Sequence, residues 1–155
     1  MGEWPYTQAE RTLLIEPRLG DGVPLNDYKL YVFHGEVKLL HVDTGRFSGT
    51  FGEQFCLPDF TPVGIVNNAP PPQQPLHAPE SLATMVAAAA VIAADFDFMR
   101  VDFYEVDGRP WFGELTPYPS GGMDPFEPEW VDHMMGAWWS RRPFNRTPLE
   151  QVQLI

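Results

Sequence analysis

The chain has 155 residues, 44% of them hydrophobic, with 10 basic and 21 acidic side chains and a formal net charge of −11. Length and apolar content suit one folded domain with its own core rather than a disordered segment. The acidic excess repels nucleic acid and anionic membrane and excludes both as expected partners, although an anionic nucleotide can still bind through a local basic patch or a bound cation. No apolar run is long enough to span a bilayer, and the opening Met1-Gly2-Glu3-Trp4-Pro5-Tyr6 lacks the basic and apolar regions of a signal peptide. The one cysteine, Cys56, cannot close an internal disulfide, which points to a reducing cytoplasm and a structural thiol.

Taken in order, residues 12–16 form a short apolar stretch that reads as a strand, stopped by Pro17 and followed by a glycine-containing loop. Residues 27–33 and 36–43, joined at His34-Gly35, read as a hairpin. Alternation puts Asp27, Lys29, Tyr31 and Phe33 on one face and Tyr28, Leu30 and Val32 on the other. Residues 44–78 lose the pattern to Gly, Pro, Asn and Gln and read as a long loop, pinned to the body by Phe47, Phe51, Phe55, Leu57 and Phe60. The alanine-rich Ser81–Ala94 stretch predicts a helix, with Leu82, Met85, Val86, Ala89, Ala90 and Ala93 at helical spacing. Pro128–Trp139 predicts a second, whose Trp and Met residues suit a core. The remainder, 141–155, reads as a tail after a domain of 1–140. His34, His41, His77 and His133 show no metal-ligand spacing and are given no chemistry.

The stretch from Phe98 to Thr116 organises the chain. It predicts two strands joined at Asp107-Gly108, a strong hairpin signal. Arg100, Asp102 and Glu114 sit among apolar and aromatic neighbours, and charges are seldom buried without a partner or a metal. With a two-residue loop Asp102 and Glu114 fall on opposite faces; with a three-residue loop Arg100 pairs with Glu114 and Asp102 joins them. A shared metal is expected to need the second register. The competing expectation is an exposed face with ordinary salt bridges. The fold class predicted from these elements is α+β, a mainly antiparallel sheet with helices on one face.

Residues 14–19 (Leu-Ile-Glu-Pro-Arg-Leu), Asp27-Tyr28-Lys29, residues 98–104 (Phe-Met-Arg-Val-Asp-Phe-Tyr) and residues 112–116 (Phe-Gly-Glu-Leu-Thr), with Gly121-Gly122, together resemble the ATP-grasp superfamily. Glu3-Trp4-Pro5-Tyr6 adds a likeness to its TupA-like branch, of teichuronopeptide and capsular polysaccharide synthesis. The resemblance implies that Glu16, Pro17 and Leu19 belong to a hinge reading adenine through backbone atoms. It also implies that Asp27 accepts from ribose hydroxyls and that Lys29 lies near the phosphates. Asp102 and Glu114 match the carboxylates that hold magnesium across ATP, while Thr116 stands where many relatives carry asparagine as a third ligand. Arg100 would neutralise the transferring phosphoryl group, and Ser120, Gly121 and Gly122 would bring backbone N–H groups to acceptor or acyl phosphate.

The resemblance further implies an upstream lobe with lysines and a Gly-rich loop, so the chain is expected to be the C-terminal half of an ATP-grasp fold. Two functions stay open: the ATP- and magnesium-binding half of a carboxylate–amine ligase, completed by an N-terminal-lobe partner, or a truncated or degenerate module that binds nucleotide or a partner without catalysis. An apolar patch near Leu13, Ile15, Leu19 and Tyr31 is expected to be exposed and to favour self-association.

Overall fold

A computed structural model describes residues 10, 12–13, 15–20, 22, 24–46 and 48–139. Six antiparallel strands form one sheet: β1 Asp27–Phe33, β2 Glu36–Thr44, β3 Gly52–Cys56, β4 Pro62–Val63, β5 Phe98–Val106 and β6 Arg109–Thr116, in the order β4-β3-β2-β1-β5-β6. Two helices accompany it, α1 Leu82–Ile92 and α2 Trp130–Trp139. The expected α+β class and antiparallel sheet are present.

Three details differ from the sequence expectation. Thr12, Leu13, Ile15 and Glu16 form no strand, and Leu13 and Ile15 are both 84% exposed. A run of apolar residues makes a strand only where a neighbour completes its hydrogen bonds, and no ladder of the sheet includes these residues. The stretch read as one loop instead contains β3 and β4. Glu53 and Gln54 break the apolar pattern there, yet Phe55 and Cys56 are buried on opposite faces. Finally, the helices lie on opposite faces rather than one. Met85 and Ala89 of α1 pack with Leu30, Val32 and Val101, while Val131 and Met134 of α2 pack with Tyr31, Phe33 and Phe98. Alternation along β1 thus feeds two cores. Of the expected pins, Phe55 and Phe60 are buried, Phe51 is exposed and Phe47 lies outside the described residues, as do 140–155.

Both hairpins close on tight two-residue turns. His34 and Gly35 have φ of 50° and 77°, and Asp107 and Gly108 have 52° and 69°. Positive φ at both central residues matches the right-handed twist of the flanking strands. Each ladder then slips by one residue. Phe33 pairs with Glu36 but Lys29 with His41, because Lys38 is an extra residue in β2. Val106 pairs with Arg109 but Arg100 with Thr116, because Gly113 and Glu114 together oppose Asp102. Each bulge reverses which side chains share a face beyond it.

Candidate functional site

The face of β1 that carries Asp27, Lys29 and Tyr31 is where the two slips matter. Without the Lys38 bulge, His41 and Asp43 would point toward α1; with it, Asp43 pairs with Asp27, and His41 with Lys29. Without the bulge at Gly113 and Glu114, the Glu114 and Thr116 side chains would leave Arg100. The two-residue turn and the shared face therefore coexist, so a three-residue loop, expected as the condition for bringing these groups together, is not needed.

Lys29 lies at the centre and is buried. Its Nζ contacts Asp27 Oδ2, and stands 3.2 Å from Asp102 Oδ2 and 3.6 Å from Asp43 Oδ2. Burial pulls the Lys29 ammonium down, but the Asp102 and Asp27 charges outweigh it and hold its pKa above the ordinary value. The pair on β1 is thus an internal one rather than the solvated pair that is commoner at a surface. Arg100 grips both oxygens of Asp102, Nε to Oδ1 at 2.8 Å and Nη2 to Oδ2 at 2.7 Å. The same Nη2 donates to Glu114 Oε1 at 2.8 Å and to Thr116 Oγ1 at 3.0 Å. Arg100, Asp102, Glu114 and Thr116 are therefore one cluster, with the guanidinium between the two carboxylates. Burial lowers the Arg100 pKa and the Asp102 hydrogen bond raises it, with a net rise.

Two hollows adjoin this cluster. One, of about 460 Å³, is lined by Glu16, Pro17, Leu19, Asp27, Asp102 and Glu114, with Trp111 and Phe112 of β6. The other, of about 510 Å³, is lined by Lys29, Arg100, Glu114, Ser120 and Gly122, and also by His41, Asp43 and Glu53. Glu114 and Arg46 border both. Glu16, Pro17, Leu19, Asp27, Asp102 and Glu114, expected to act on one nucleotide, thus meet around the first hollow, whereas Lys29, Arg100 and Gly122 line the other and Thr116 lines neither. Gly121 is absent from either lining, and its N–H donates to Tyr118 O at 3.0 Å within the turn. Leu19 is half-buried, whereas Tyr31, expected in an exposed patch with Leu13 and Ile15, is buried against Phe98.

A nucleotide and its magnesium can be tested against these groups. Asp27 Oδ1 is buried and has no hydrogen-bond partner among the described residues, and Asp27 borders the first hollow. A buried carboxylate oxygen without a donor is costly, and a sugar hydroxyl supplies what it lacks. Desolvation by burial accordingly raises the Asp27 pKa despite Lys29. Asp102, Glu114 and Thr116 offer hard oxygen atoms, the donor type magnesium takes, and Glu114 is largely exposed. The donor types fit the group, on condition that Arg100, which holds both Asp102 oxygens and bonds Glu114 and Thr116, gives way to the metal.

His41, Asp43, Glu53 and Arg46 were not singled out from sequence. His41 and Asp43 are two apart in one strand, a same-face spacing that was legible, but Glu53 lies in the stretch read as loop. Cys56 is buried and accepts from Gln54 Nε2 at 3.3 Å; burial pushes its thiol pKa up, as suits a structural role. Among the described residues no helix is long and apolar enough to cross a membrane.

No curated protein and no solved structure matches this chain. The family model described as TupA-like ATPgrasp does match, over residues 4–140. That span takes in residues 16–19, the buried Lys29 cluster and the Arg100–Glu114 pair, and the chain belongs to the TupA-like ATPgrasp family.

Proposed function

We propose that the chain is the ATP- and magnesium-binding half of an ATP-dependent carboxylate–amine ligase, acting in cell-surface polysaccharide or peptide modification in the cytoplasm. The observation that carries this reading is the first hollow, where Glu16, Pro17 and Leu19 meet Asp27, Asp102 and Glu114. The hinge segment would read adenine through backbone atoms; Pro17 lacks an N–H but keeps its carbonyl. Asp27 Oδ1 would accept from a ribose hydroxyl. Lys29 would place positive charge near the phosphates. Asp102, Glu114 and Thr116 would hold magnesium, which when bound neutralises and aligns the phosphate oxygens. Arg100, released from one carboxylate, would stabilise charge as a substrate carboxylate oxygen attacks the terminal phosphorus and ADP leaves. The amine would then attack the acyl carbon, phosphate would depart, and the amine would lose its proton. Gly122 and Gly121 would border the acyl phosphate, with Gly122 the better placed. An N-terminal-lobe partner or a second copy would close the site.

A second reading has its own support. Arg100 already neutralises Asp102 and Glu114 without any metal. A module that binds nucleotide or a partner without catalysis could hold this resting arrangement permanently.

Thermal melts with magnesium–ATP test the first step common to both nucleotide readings. Free ligand at about ten times Kd stabilises by roughly 1.4 kcal/mol. Asp102→Asn and Glu114→Gln should lose the gain. Phosphate release dependent on an added carboxylate and amine separates the ligase from the silent module. No shift at millimolar magnesium–ATP would remove the nucleotide assignment for this chain alone.

A further inference from the structure

His41, Asp43 and Glu53 form a second constellation, distinct from Asp102, Glu114 and Thr116. One ligand atom from each lies within 4.8 Å of the others, and all three residues are buried. His41 and Asp43 are two apart on β2, and Glu53 is the direct partner of Asp43 on β3. Backbone register, rather than a flexible loop, sets their convergence.

Each group is held by one feature and presents another. Glu53 Oε2 accepts from the N–H groups of Asn68 at 2.9 Å and Ala69 at 3.0 Å, which leaves Oε1 toward His41 Nε2 at 3.8 Å. The His41 ring stacks on Phe55, with centroids 4.3 Å apart and planes inclined by 16°. Asp43 Oδ2 faces Lys29. His41 Nε2 and Asp43 Oδ1 stand 2.9 Å apart as a close ion-pair contact outside hydrogen-bond geometry, and neither atom has a hydrogen-bond partner among the described residues. The His41 and Asp43 side chains are 8% and 5% exposed. A buried imidazole nitrogen and a buried carboxylate oxygen this close, neither of them hydrogen-bonded, are costly unless something binds between them.

We infer that His41 Nε2, Asp43 Oδ1 and Glu53 Oε1 hold a first-row transition dication, zinc or manganese, in a site separate from the nucleotide's magnesium. Two ligands at about 2.1 Å from one ion, at right angles or tetrahedral angles, lie roughly 3.0–3.4 Å apart, close to the His41–Asp43 spacing and within reach of Glu53. One imidazole with two carboxylates favours such an ion over magnesium, which prefers oxygen alone. The buried carboxylates Asp27, Asp43, Glu53 and Asp102 also outnumber the Lys29 and Arg100 cations that pair with them, so a dication offsets an excess of buried negative charge. Three protein ligands leave coordination positions for a guest. The same residues line the hollow that Arg100 and Glu114 border, so an oxygen-bearing acceptor could share that space.

The test uses the full chain without nucleotide, so its outcome is independent of the ligase reading. Calorimetric titration with zinc should show one equivalent bound. His41→Ala and Glu53→Gln should each weaken it by roughly 100-fold, extending what lost supporting contacts do to metal sites. His133→Ala, at an exposed helix position, should leave it unchanged. Circular dichroism of each variant checks folding, and X-ray absorption of the zinc-loaded wild type should show one imidazole among oxygen ligands. No saturable zinc binding, binding indifferent to His41→Ala and Glu53→Gln, or sulfur ligation would overturn the assignment.

Discussion

The two hairpins use the same device with opposite consequences. In β1–β2 the bulge at Lys38 turns His41 and Asp43 inward, and all charged groups beyond it are buried. In β5–β6 the bulge at Gly113 and Glu114 turns Glu114 and Thr116 toward Arg100, but β6 is an edge strand whose residues are mostly exposed. A charge buried in the sheet centre must be balanced permanently, whereas one at an edge can exchange partners with solvent. The inner hairpin thus fixes its charged groups, and the outer one leaves Glu114 able to exchange partners.

The largest expected effect tests the inner half. Lys29→Met keeps the stem but removes the ammonium that Asp27, Asp43 and Asp102 share. Leaving buried charges unpaired typically costs about 3–5 kcal/mol. Urea unfolding should show that loss, or no folded protein. A cost under about 1 kcal/mol would mean the inner cluster is wetter than its burial implies.

A smaller effect is expected at the outer bulge. A Cβ on Gly113 would come 3.1 Å from the Asp102 carbonyl oxygen and 3.2 Å from the Tyr104 ring. Neither neighbour moves freely, and overpacking of this kind costs roughly 1–3 kcal/mol. Gly113→Ala should therefore destabilise in urea titration and also weaken any magnesium–ATP shift, because β6 must move to accommodate it. A wild-type midpoint would show that the edge gives way without strain.

Asp27 offers a pH test within the inner half. Burial raises its folded pKa above the unfolded value near 3.8, so the ionised carboxylate disfavours the fold at neutral pH. Below both values the group is protonated in either state and contributes no difference. Asp27→Asn should accordingly raise the urea midpoint at pH 7, where Lys29 keeps Asp102 and Asp43, and the advantage should shrink as pH falls toward 3.8. A lower midpoint at pH 7 would make the Lys29 contact worth more than the burial it compensates.

What was legible in the sequence follows the same division. The turns at His34-Gly35 and Asp107-Gly108 were readable because positive φ demands particular residues. The shared face of Asp27, Lys29 and Tyr31 followed from period-two alternation within one strand. Across strands, parity arguments assume an unbroken ladder, and both ladders slip. No composition marks Lys38 as an extra residue, so His41 and Asp43 had no visible link to Lys29. Gly113 was the one local hint of a bulge. β3 was hidden because a buried Glu53 makes sense only once Asn68 and Ala69 are placed on it. Glu16, Pro17 and Leu19 carry an expected role by resemblance alone, and their position by the first hollow is tertiary information that no local pattern holds.

The smallest expected effect on stability sharpens the outer half. The Glu114 side chain is 63% exposed while Arg100's is 12% exposed. Arg100 keeps its two bonds to Asp102 when Glu114 is altered, so no buried charge is orphaned. Glu114→Gln should therefore shift the unfolding free energy by only about 0–1 kcal/mol, the range for exposed pairs. Its effect belongs to ligand binding, since a neutral amide holds a magnesium ion less well than a carboxylate. The pairing of near-native urea stability with a lost magnesium–ATP shift is the signature of an edge residue kept for function. Should Glu114→Gln instead cost as much as Lys29→Met, the edge strand is part of the structural charge balance, and the division between a fixed inner half and a responsive outer half fails.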